Sequence, residues 1–270
     1  MLAMTEPLTA LPVEADDHQL AAWLATEAGR VLTELRTGPA ARSTDPGALK
    51  AEGDATSQRF LADALARARP DDAVLSEEAA DVSHRLTARR IWIIDPLDGT
   101  REFGEPPRED WAVHVALVVE GRLTVGAVAL PASSLVFGTD PPPPPPPPHA
   151  GPIRMLVSRT RAHPATVVAA EALGAVLVPM GSAGAKAMAV VRGDADVYAH
   201  AGGQYEWDSA APAAVAAAAG LHVSGIDGRE LVWNKSDPWS PDLLICRDDL
   251  AGRVVDAMRV ALAQSPKSTS

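Results

Sequence analysis

Residues 91 to 100 read Ile-Trp-Ile-Ile-Asp-Pro-Leu-Asp-Gly-Thr. The four apolar residues Ile91 to Ile94 predict a short buried strand that stops at Asp95, and Asp98 follows three residues later. Pro96 fixes its own φ and pushes Asp95 toward an extended conformation. Gly99 permits a tight turn, and Thr100 can cap a following helix. Two carboxylates thus converge at the end of a buried strand, beside exposed backbone N–H groups. Carboxylates bind a hard cation such as Mg2+, and a helix N-terminus binds phosphate. The pairing points to metal-assisted phosphate chemistry, with an ordinary Asp-Pro-x-Asp-Gly turn as the alternative.

Further acids stand near predicted element ends. Glu77 and Glu78 follow the short apolar strand Ala73-Val74-Leu75. Asp208 lies in Glu206-Trp207-Asp208-Ser209-Ala210-Ala211, at a predicted helix start, and Asp54 begins another helix. Taken singly, Asp208 and Asp54 read as N-caps, and Glu77 and Glu78 as solvated charge. No histidine shows metal-ligand spacing, and His114 and His200 read as structural. The single cysteine, Cys246, excludes an internal disulfide and a multi-cysteine zinc site. Its neighbours Leu243 to Ile245 mark it as a buried, inert thiol.

The elements that must position these groups can be read from periodicity. Asp16 and Asp17 cap a helix with Leu20, Trp23, Leu24, Val31, Leu32 and Leu35 at helical spacing. Residues 37 to 53 read as a loop, and a second helix spans about Thr56 to Arg69. Trp111 to Val119 and Thr124 to Leu130 predict a hairpin turning at Glu120-Gly121-Arg122, and Leu135 to Phe137 a further strand. Beyond residue 150 strands and helices alternate: Arg154–Ser158, Pro164–Leu173, Ala175–Pro179, Ala185–Arg192, Asp196–His200, an Ala-rich helix from Asp208, Leu243–Cys246 and Leu250–Ala263. The first half therefore reads as α+β, with antiparallel strands and two packed helices, and the second as α/β. The implied units are residues 1–150, carrying the metal- and phosphate-binding groups, and 151–270, carrying substrate-binding groups. Pro141 to Pro148 form an octaproline tract that must adopt polyproline II. It reads as a stiff exposed linker, or in a scaffold protein as a ligand for an SH3-like or WW-like module. Residues 265–270 read as a disordered tail.

The chain has 270 residues, 47% hydrophobic and 22% charged, the balance of a soluble globular protein. Its formal net charge of −11 argues against polymeric nucleic acid as a partner. A small anionic substrate remains open, because a bound metal reverses the local sign. No stretch reaches the roughly 18 apolar residues of a membrane-spanning helix, and the first residues lack the pattern of a signal peptide. A cytoplasmic protein with no membrane partner is the expectation.

Ser76-Glu77-Glu78, Trp92 to Thr100 and Trp207-Asp208 together resemble the inositol monophosphatase-like superfamily of Mg2+-dependent, lithium-sensitive phosphatases, over roughly residues 16 to 263. Val74 to Glu78, Arg101-Glu102-Phe103, Gly181 to Lys186 and Glu206-Trp207-Asp208 are most similar to its CysQ-type 3'(2'),5'-bisphosphate nucleotidases, actinobacterial ones in particular. The resemblance implies the layered αβαβα sugar-phosphatase fold and a possible homodimer. It implies one Mg2+ held by Glu77, Asp95 and the Leu97 carbonyl, a second by Asp95, Asp98 and Asp208, and a third reached from Glu77 through water. Thr100, paired with Asp54 or Glu77, would orient the attacking water. Gly99 and Thr100 N–H groups would receive the phosphate, with Asp98, Arg101, Ser182 and Asp208 completing the substrate contacts. Residues Ser182 to Lys186 would face the sugar or second phosphate. Asp54 stands 23 residues before Glu77, where the family places an acid, but Leu49 to Gly53 lack the family's threonine, so the cap reading stays open there. The implied reaction removes the 3'-phosphate of adenosine 3',5'-bisphosphate. The alternatives are an inositol-1-phosphate or fructose 1,6-bisphosphate phosphatase.

Overall fold

The computed structural model describes residues 10–38, 45–80, 83–147 and 150–264. The expected tail at 265–270 and the last proline of the tract lie outside the described residues. The first helix, α1 (Asp17–Thr37), starts where Asp16 accepts a hydrogen bond from the Gln19 N–H at 2.8 Å, as a capping side chain should. The second, α2 (Pro46–Ala68), corrects the expected loop at 37–53. Asp45 accepts from the Gly47 N–H, and Pro46 occupies the first turn, where its missing donor costs nothing. Asp54 is therefore inside α2 and does not cap it.

Strands β1 (Ala73–Ser76), β2 (Arg90–Asp98), β3 (Ala112–Val119), β4 (Arg122–Leu130) and β5 (Leu135–Gly138) form one sheet in chain order. It is not wholly antiparallel, because β1 runs parallel to β2. The short helix α3 (Thr100–Phe103) follows β2 directly. The second sheet is built from β6 (Arg154–Ser158), β7 (Val176–Met180), β8 (Val197–Tyr205), β9 (His222–Ser224) and β10 (Trp239–Cys246), in the order β7-β6-β8-β10-β9. Its β6 pairs are parallel, and β10 is antiparallel to both of its neighbours, so this sheet is mixed and not purely of the α/β type. Helices α4 (Pro164–Leu173), α5 (Ala183–Val191), α6 (Glu206–Ala218) and α7 (Ala251–Gln264) complete the fold.

Side-chain alternation assigns the layers. On β2, Trp92 and Ile94 join a core with Leu20, Leu24, Leu61 and Leu65 of α1 and α2, while Ile91 and Ile93 join Met188 and Val190 of α5 and Val215 of α6. On β10, Leu243 and Ile245 face that same central layer, and Leu244 and Cys246 face Val254 and Met258 of α7. The order is helices, sheet, helices, sheet, helices. Both sheets are covered on both faces, which is why their central strands read as unbroken apolar runs. Cys246 is fully buried, and burial pushes its thiol up to about 12, which makes it inert. The alanines of α6 set the thickness of the middle layer. A Cβ on Gly126 of β4 would lie 2.6 Å from Ala214 Cβ and 2.9 Å from the Ala211 carbonyl oxygen, so only small residues let this helix approach.

The proline tract connects the two sheets past the ends of α5 and α6. Pro143 and Pro146 are half-buried while Pro141, Pro142, Pro144, Pro145 and Pro147 are exposed. That spacing of three matches one face of a polyproline II helix resting on the protein. Pro146 and Pro147 lie beside Gly193, and Pro145 lies beside Gly220, just beyond α5 and α6. Seven such residues span about 22 Å at ~3.1 Å each, enough to cross a helical layer about 10–12 Å thick. The tract acts as a stiff strap. Replacing Pro142 to Pro146 with Gly and Ser at equal length is expected to destabilise the protein through the unfolded state, by up to about 0.4–1 kcal/mol per proline. The arrangement of the acids at the end of β2 should stay unchanged in the folded molecule. Chemical denaturation and an activity assay check both.

Candidate active site

The β2 strand does not end at Asp95. It continues to Asp98, with its register against β3 broken between these two residues. Pro96, which has no N–H for the ladder, sits in that break. The buried Ser57 hydroxyl of α2 donates to the Pro96 carbonyl at 2.7 Å, and the Leu97 N–H donates to Asp95 Oδ1 at 3.0 Å. The bulge turns Asp95 and Asp98 toward one point. Gly99, at φ +83, then swings the chain into α3, a conformation that side chains rarely adopt. Gly99 rather than Thr100 is the cap residue of α3, which frees the Thr100 hydroxyl. It lies 3.1 Å from the Leu97 carbonyl oxygen and 3.4 Å from Asp54 Oδ1.

Asp208 reaches the same point from α6. It is the third residue of the helix rather than its cap, and its carboxylate accepts from the Tyr205 N–H at 2.6 Å. Ligand oxygens of Asp95, Asp98 and Asp208 lie within 4.8 Å of one another. Glu77, just past β1, sits at the solvent-accessible rim of this group. Crowding by protein atoms, together with the charges of Asp208, Glu78, Asp98 and Asp54, pushes its carboxyl up to about 7. Burial and Asp98 push Asp208 up to about 6, and burial and Glu78 do the same for Asp54. Asp95, 1% exposed, is driven well above the usual carboxylate range by burial and by the charges of Asp98, Glu77 and Asp208. Its Oδ2 is buried with no hydrogen-bond partner among the described residues. A buried acceptor facing other carboxylates is costly unless a cation fills the space between them. The donor set is all oxygen, which suits a hard divalent ion.

Asp98 differs from the rest. Burial alone would raise it, yet His114 and the Ser182 hydroxyl hold it far below the usual range. Ser182 Oγ and the Gly184 N–H donate to Oδ2, the Ala183 N–H donates to Oδ1 at 3.1 Å, and His114 Nε2 stands 3.2 Å from Oδ2. The N-terminus of α5 therefore receives Asp98, a protein anion, rather than pointing freely at substrate. Ser182 is the α5 cap, accepting from the Ala185 N–H at 2.9 Å while donating to Asp98. Lys186 is turned inward, with its ammonium donating to the Gly181 and Ser182 carbonyls, so it makes no direct reach for a ligand. From sequence His114 reads as structural. The fold gives it a role beside the site, with Nδ1 3.0 Å from the Trp207 carbonyl oxygen and Nε2 toward Asp98. Asp98 raises its pKa against the effect of burial. The strand register that pairs His114 with Asp95 was the only signal available, and it requires knowing that β2 and β3 pair.

Glu206 is also structural. Fully buried, it accepts the Asn234 N–H at 2.6 Å and the Lys235 N–H at 3.0 Å, pinning the segment between β9 and β10 beside α6. The Lys235 ammonium is spent on the Trp239 carbonyl and Ser240. His200 Nε2 pairs with the Gly203 carbonyl oxygen at 2.9 Å, away from the acids. Arg101 stands on α3 with an exposed side chain.

The inositol monophosphatase family model matches residues 15–140 and 147–259, leaving only prolines between the two stretches. A curated 3'-phosphoadenosine 5'-phosphate phosphatase of Mycobacterium leprae is 47% identical over 91% of this chain and 94% of its own. The 3'(2'),5'-bisphosphate nucleotidase CysQ of Escherichia coli is 30% identical over 66% of this chain and 76% of its own. The crystal structure of inositol monophosphatase II from Staphylococcus aureus superposes with a TM-score of 0.73 at 18% identity, covering 90% of this chain and 96% of that one. With its layered sheets and its acidic cluster at the broken end of β2, the chain belongs to the inositol monophosphatase family.

Proposed function

We propose that this protein is a Mg2+-dependent phosphomonoesterase that hydrolyses the 3'-phosphate of adenosine 3',5'-bisphosphate, giving AMP and phosphate. The observation that carries the reaction class is the convergence of Asp95, Asp98 and Asp208 beside the Thr100–Asp54 pair. The substrate rests on the 47% identity to the mycobacterial 3'-phosphoadenosine 5'-phosphate phosphatase. Glu77, Asp95, the Leu97 carbonyl, Asp98 and Asp208 would hold two or three Mg2+ ions. Bound Mg2+ supplies charge that offsets the phosphate's and acidifies a neighbouring water.

The chain's own groups do the rest. The turn at Gly99 and Thr100 presents backbone N–H groups to the phosphate. The Thr100 hydroxyl donates to Asp54 and turns a lone pair toward the attacking water. As the water is deprotonated, Thr100 relays its proton to Asp54. A carboxylate at about 6 is ionised at neutral pH yet basic enough to take that proton. Thr100→Ala is expected to lower kcat by about 10^2–10^4-fold, the range for positioned proton transfer. The rise in Tm on adding Mg2+ should be retained, because the acids that hold the ion remain. Thermal melts and steady-state kinetics separate the two effects.

The residues 1–150 and 151–270 would act as metal-binding and substrate-binding halves that close over one substrate. The deciding assay measures phosphate release from adenosine 3',5'-bisphosphate, inositol-1-phosphate and fructose 1,6-bisphosphate, each with and without Mg2+. A Mg2+-dependent preference for the nucleotide in kcat/KM is the expected result. Preference for either other substrate overturns the substrate assignment, and activity without Mg2+ overturns the metal.

A further inference from the structure

Strands β1 and β2 run parallel, so the chain that leaves β1 at Ser76 must travel back along the sheet before it enters β2 at Arg90. Such a crossover is usually an α-helix, whose backbone satisfies itself. Among the described residues of this one, the regular structure is a single short 3-10 helix, Ser83–Thr87. The crossover begins with Glu77, so whatever holds it fixes one wall of the acidic cluster. Leu86, in the 3-10 helix, is 44% exposed and does not anchor it. Among the described residues between Ser76 and Arg90, Arg85 alone is buried, and it is fully buried. A charge leaves water at tolerable cost only where partners meet it.

Those partners come from the other half of the chain. Arg85 Nη1 donates to Asn234 Oδ1 at 2.7 Å and to the Lys235 carbonyl oxygen at 2.9 Å, and Nη2 to the Ser236 carbonyl oxygen at 3.4 Å. Asn234 returns a bond, its Nδ2 donating to the Arg85 carbonyl oxygen at 3.1 Å. The same segment holds the start of α6. Glu206 accepts the N–H groups of Asn234 and Lys235, and the Glu206 N–H donates to the Pro238 carbonyl oxygen at 2.9 Å. Asp208 stands two residues further along α6. Asn234 thus turns its side chain to the crossover and its backbone to the helix. Glu77 and Asp208 lie close enough for their charges to repel. Without a cation, that repulsion drives the crossover outward unless an anchor opposes it.

We propose that Arg85 is a positioning residue for the metal centre. Through Asn234, Lys235 and Glu206 it clamps the crossover that carries Glu77 against the start of α6, so that Glu77 and Asp208 face each other before an ion arrives. The proposal rests on the reading of the acidic cluster as a Mg2+ site. A planar fork of donors suits the task, because it reaches several fixed oxygens at once, which a lysine ammonium does not match.

Titration calorimetry with Mg2+ alone, which needs no turnover, compares wild type with Asn234→Gly, Arg85→Lys and Leu86→Ala. Glycine adopts the φ of +58 that Asn234 holds and keeps the N–H that Glu206 accepts, so the change removes the side-chain bonds to the crossover. Arg85→Lys keeps the charge and loses the fork. Both should weaken Mg2+ binding about 10–100-fold, the usual loss when a group behind the ligands is removed. Phosphate release should then need correspondingly more Mg2+ for its half-maximal rate. Leu86→Ala alters the same 3-10 helix without touching the clamp and should bind Mg2+ like wild type. Should Arg85→Lys fail to fold, Asn234→Gly still decides. An anchor serving stability alone would lower Tm in these variants and leave Mg2+ affinity unchanged, and that result would overturn the clamp. Equal weakening by Leu86→Ala would overturn it too. A wild type that binds no Mg2+ would overturn the metal reading, and the clamp with it.

Discussion

Asp95→Asn is expected to reduce phosphate release by at least about 10^3-fold, a loss of about 4 kcal/mol in transition-state stabilisation. The protein should nevertheless fold, and without metal it should be more stable than wild type. The reason lies in the two oxygens of Asp95. Oδ1 takes the Leu97 N–H at 3.0 Å, and an asparagine oxygen can do the same. Oδ2 is buried without a partner and faces other carboxylates. The amide nitrogen of asparagine would put donors there, turning a repulsion into a contact. The pH dependence follows the same logic. Asp95, Glu77 and Asp208 all have folded pKa values above their ordinary ones. Between the ordinary value and the raised one, the folded state binds more protons than the unfolded state, so stability falls as pH rises through that window. For Glu77 and Asp208 the window runs from about 4 to about 6–7. Wild type without metal should therefore melt lower at pH 7.5 than at pH 5 by more than Asp95→Asn does, and Mg2+ should raise the wild-type Tm but not that of the variant. A variant that keeps its turnover, or keeps the Mg2+-induced shift, would show that Asp95 does not hold the ion.

Gly184→Ala should be nearly as damaging, by a different route. A Cβ there would fall well inside van der Waals contact of His114 Nε2, and 3.0 Å from both His114 Cδ2 and Ala112 Cβ. His114 is buried, tied to the Trp207 carbonyl on one side and facing Asp98 on the other, and it cannot swing away. Ala112 belongs to β3 and is equally buried. Either α5 must shift or His114 must leave Asp98. Overpacking of this kind costs about 1–3 kcal/mol, which for a chain of this size lowers Tm by very roughly 2–12 °C. Activity should fall further than stability does, because Asp98 loses the N–H groups of Ala183 and Gly184 and its alignment with Asp95. Melting curves and kcat measured well below the melting point distinguish these losses. An active variant with an unchanged Tm would show that the α5 start has room to move.

How much of this was legible from sequence varies by residue. Ile91 to Ile94 announced a strand buried on both faces, and the layered fold places it between two cores. The hairpin was legible because Glu120-Gly121-Arg122 separates two apolar, β-rich runs, and Glu120 and Gly121 do adopt the positive φ of a type I′ turn. Helix α4 matched its expected bounds, set by Pro164 and the Gly174 that ends it in a left-handed conformation. The start of α2 is hidden in the sequence because Gly47 and Gly53 look like loop residues. Gly53 is helical and small for packing, since a Cβ there would meet Phe103 at 2.8 Å and Leu97 at 3.0 Å. Such a contact joins residues about 50 apart, and no local propensity reports it.

The kind of chemistry is written locally in the chain. Asp95, Asp98 and Thr100 fall within six residues, so their types, the proline between the acids and the glycine after them carry a local signal that covalent geometry alone enforces. Folding brings in the distant groups that complete the centre and sets their charge states. Asp54 reaches Thr100 from a helix 46 residues away, and Asp208 arrives on α6, from beyond the first sheet's last strand. His114 and the start of α5 keep Asp98 ionised while Asp95, three residues away on the same strand, is driven toward its neutral form. Two aspartates of one motif thus differ because charge stabilisation depends on burial and on neighbours in space, which the order of residues along the chain does not record.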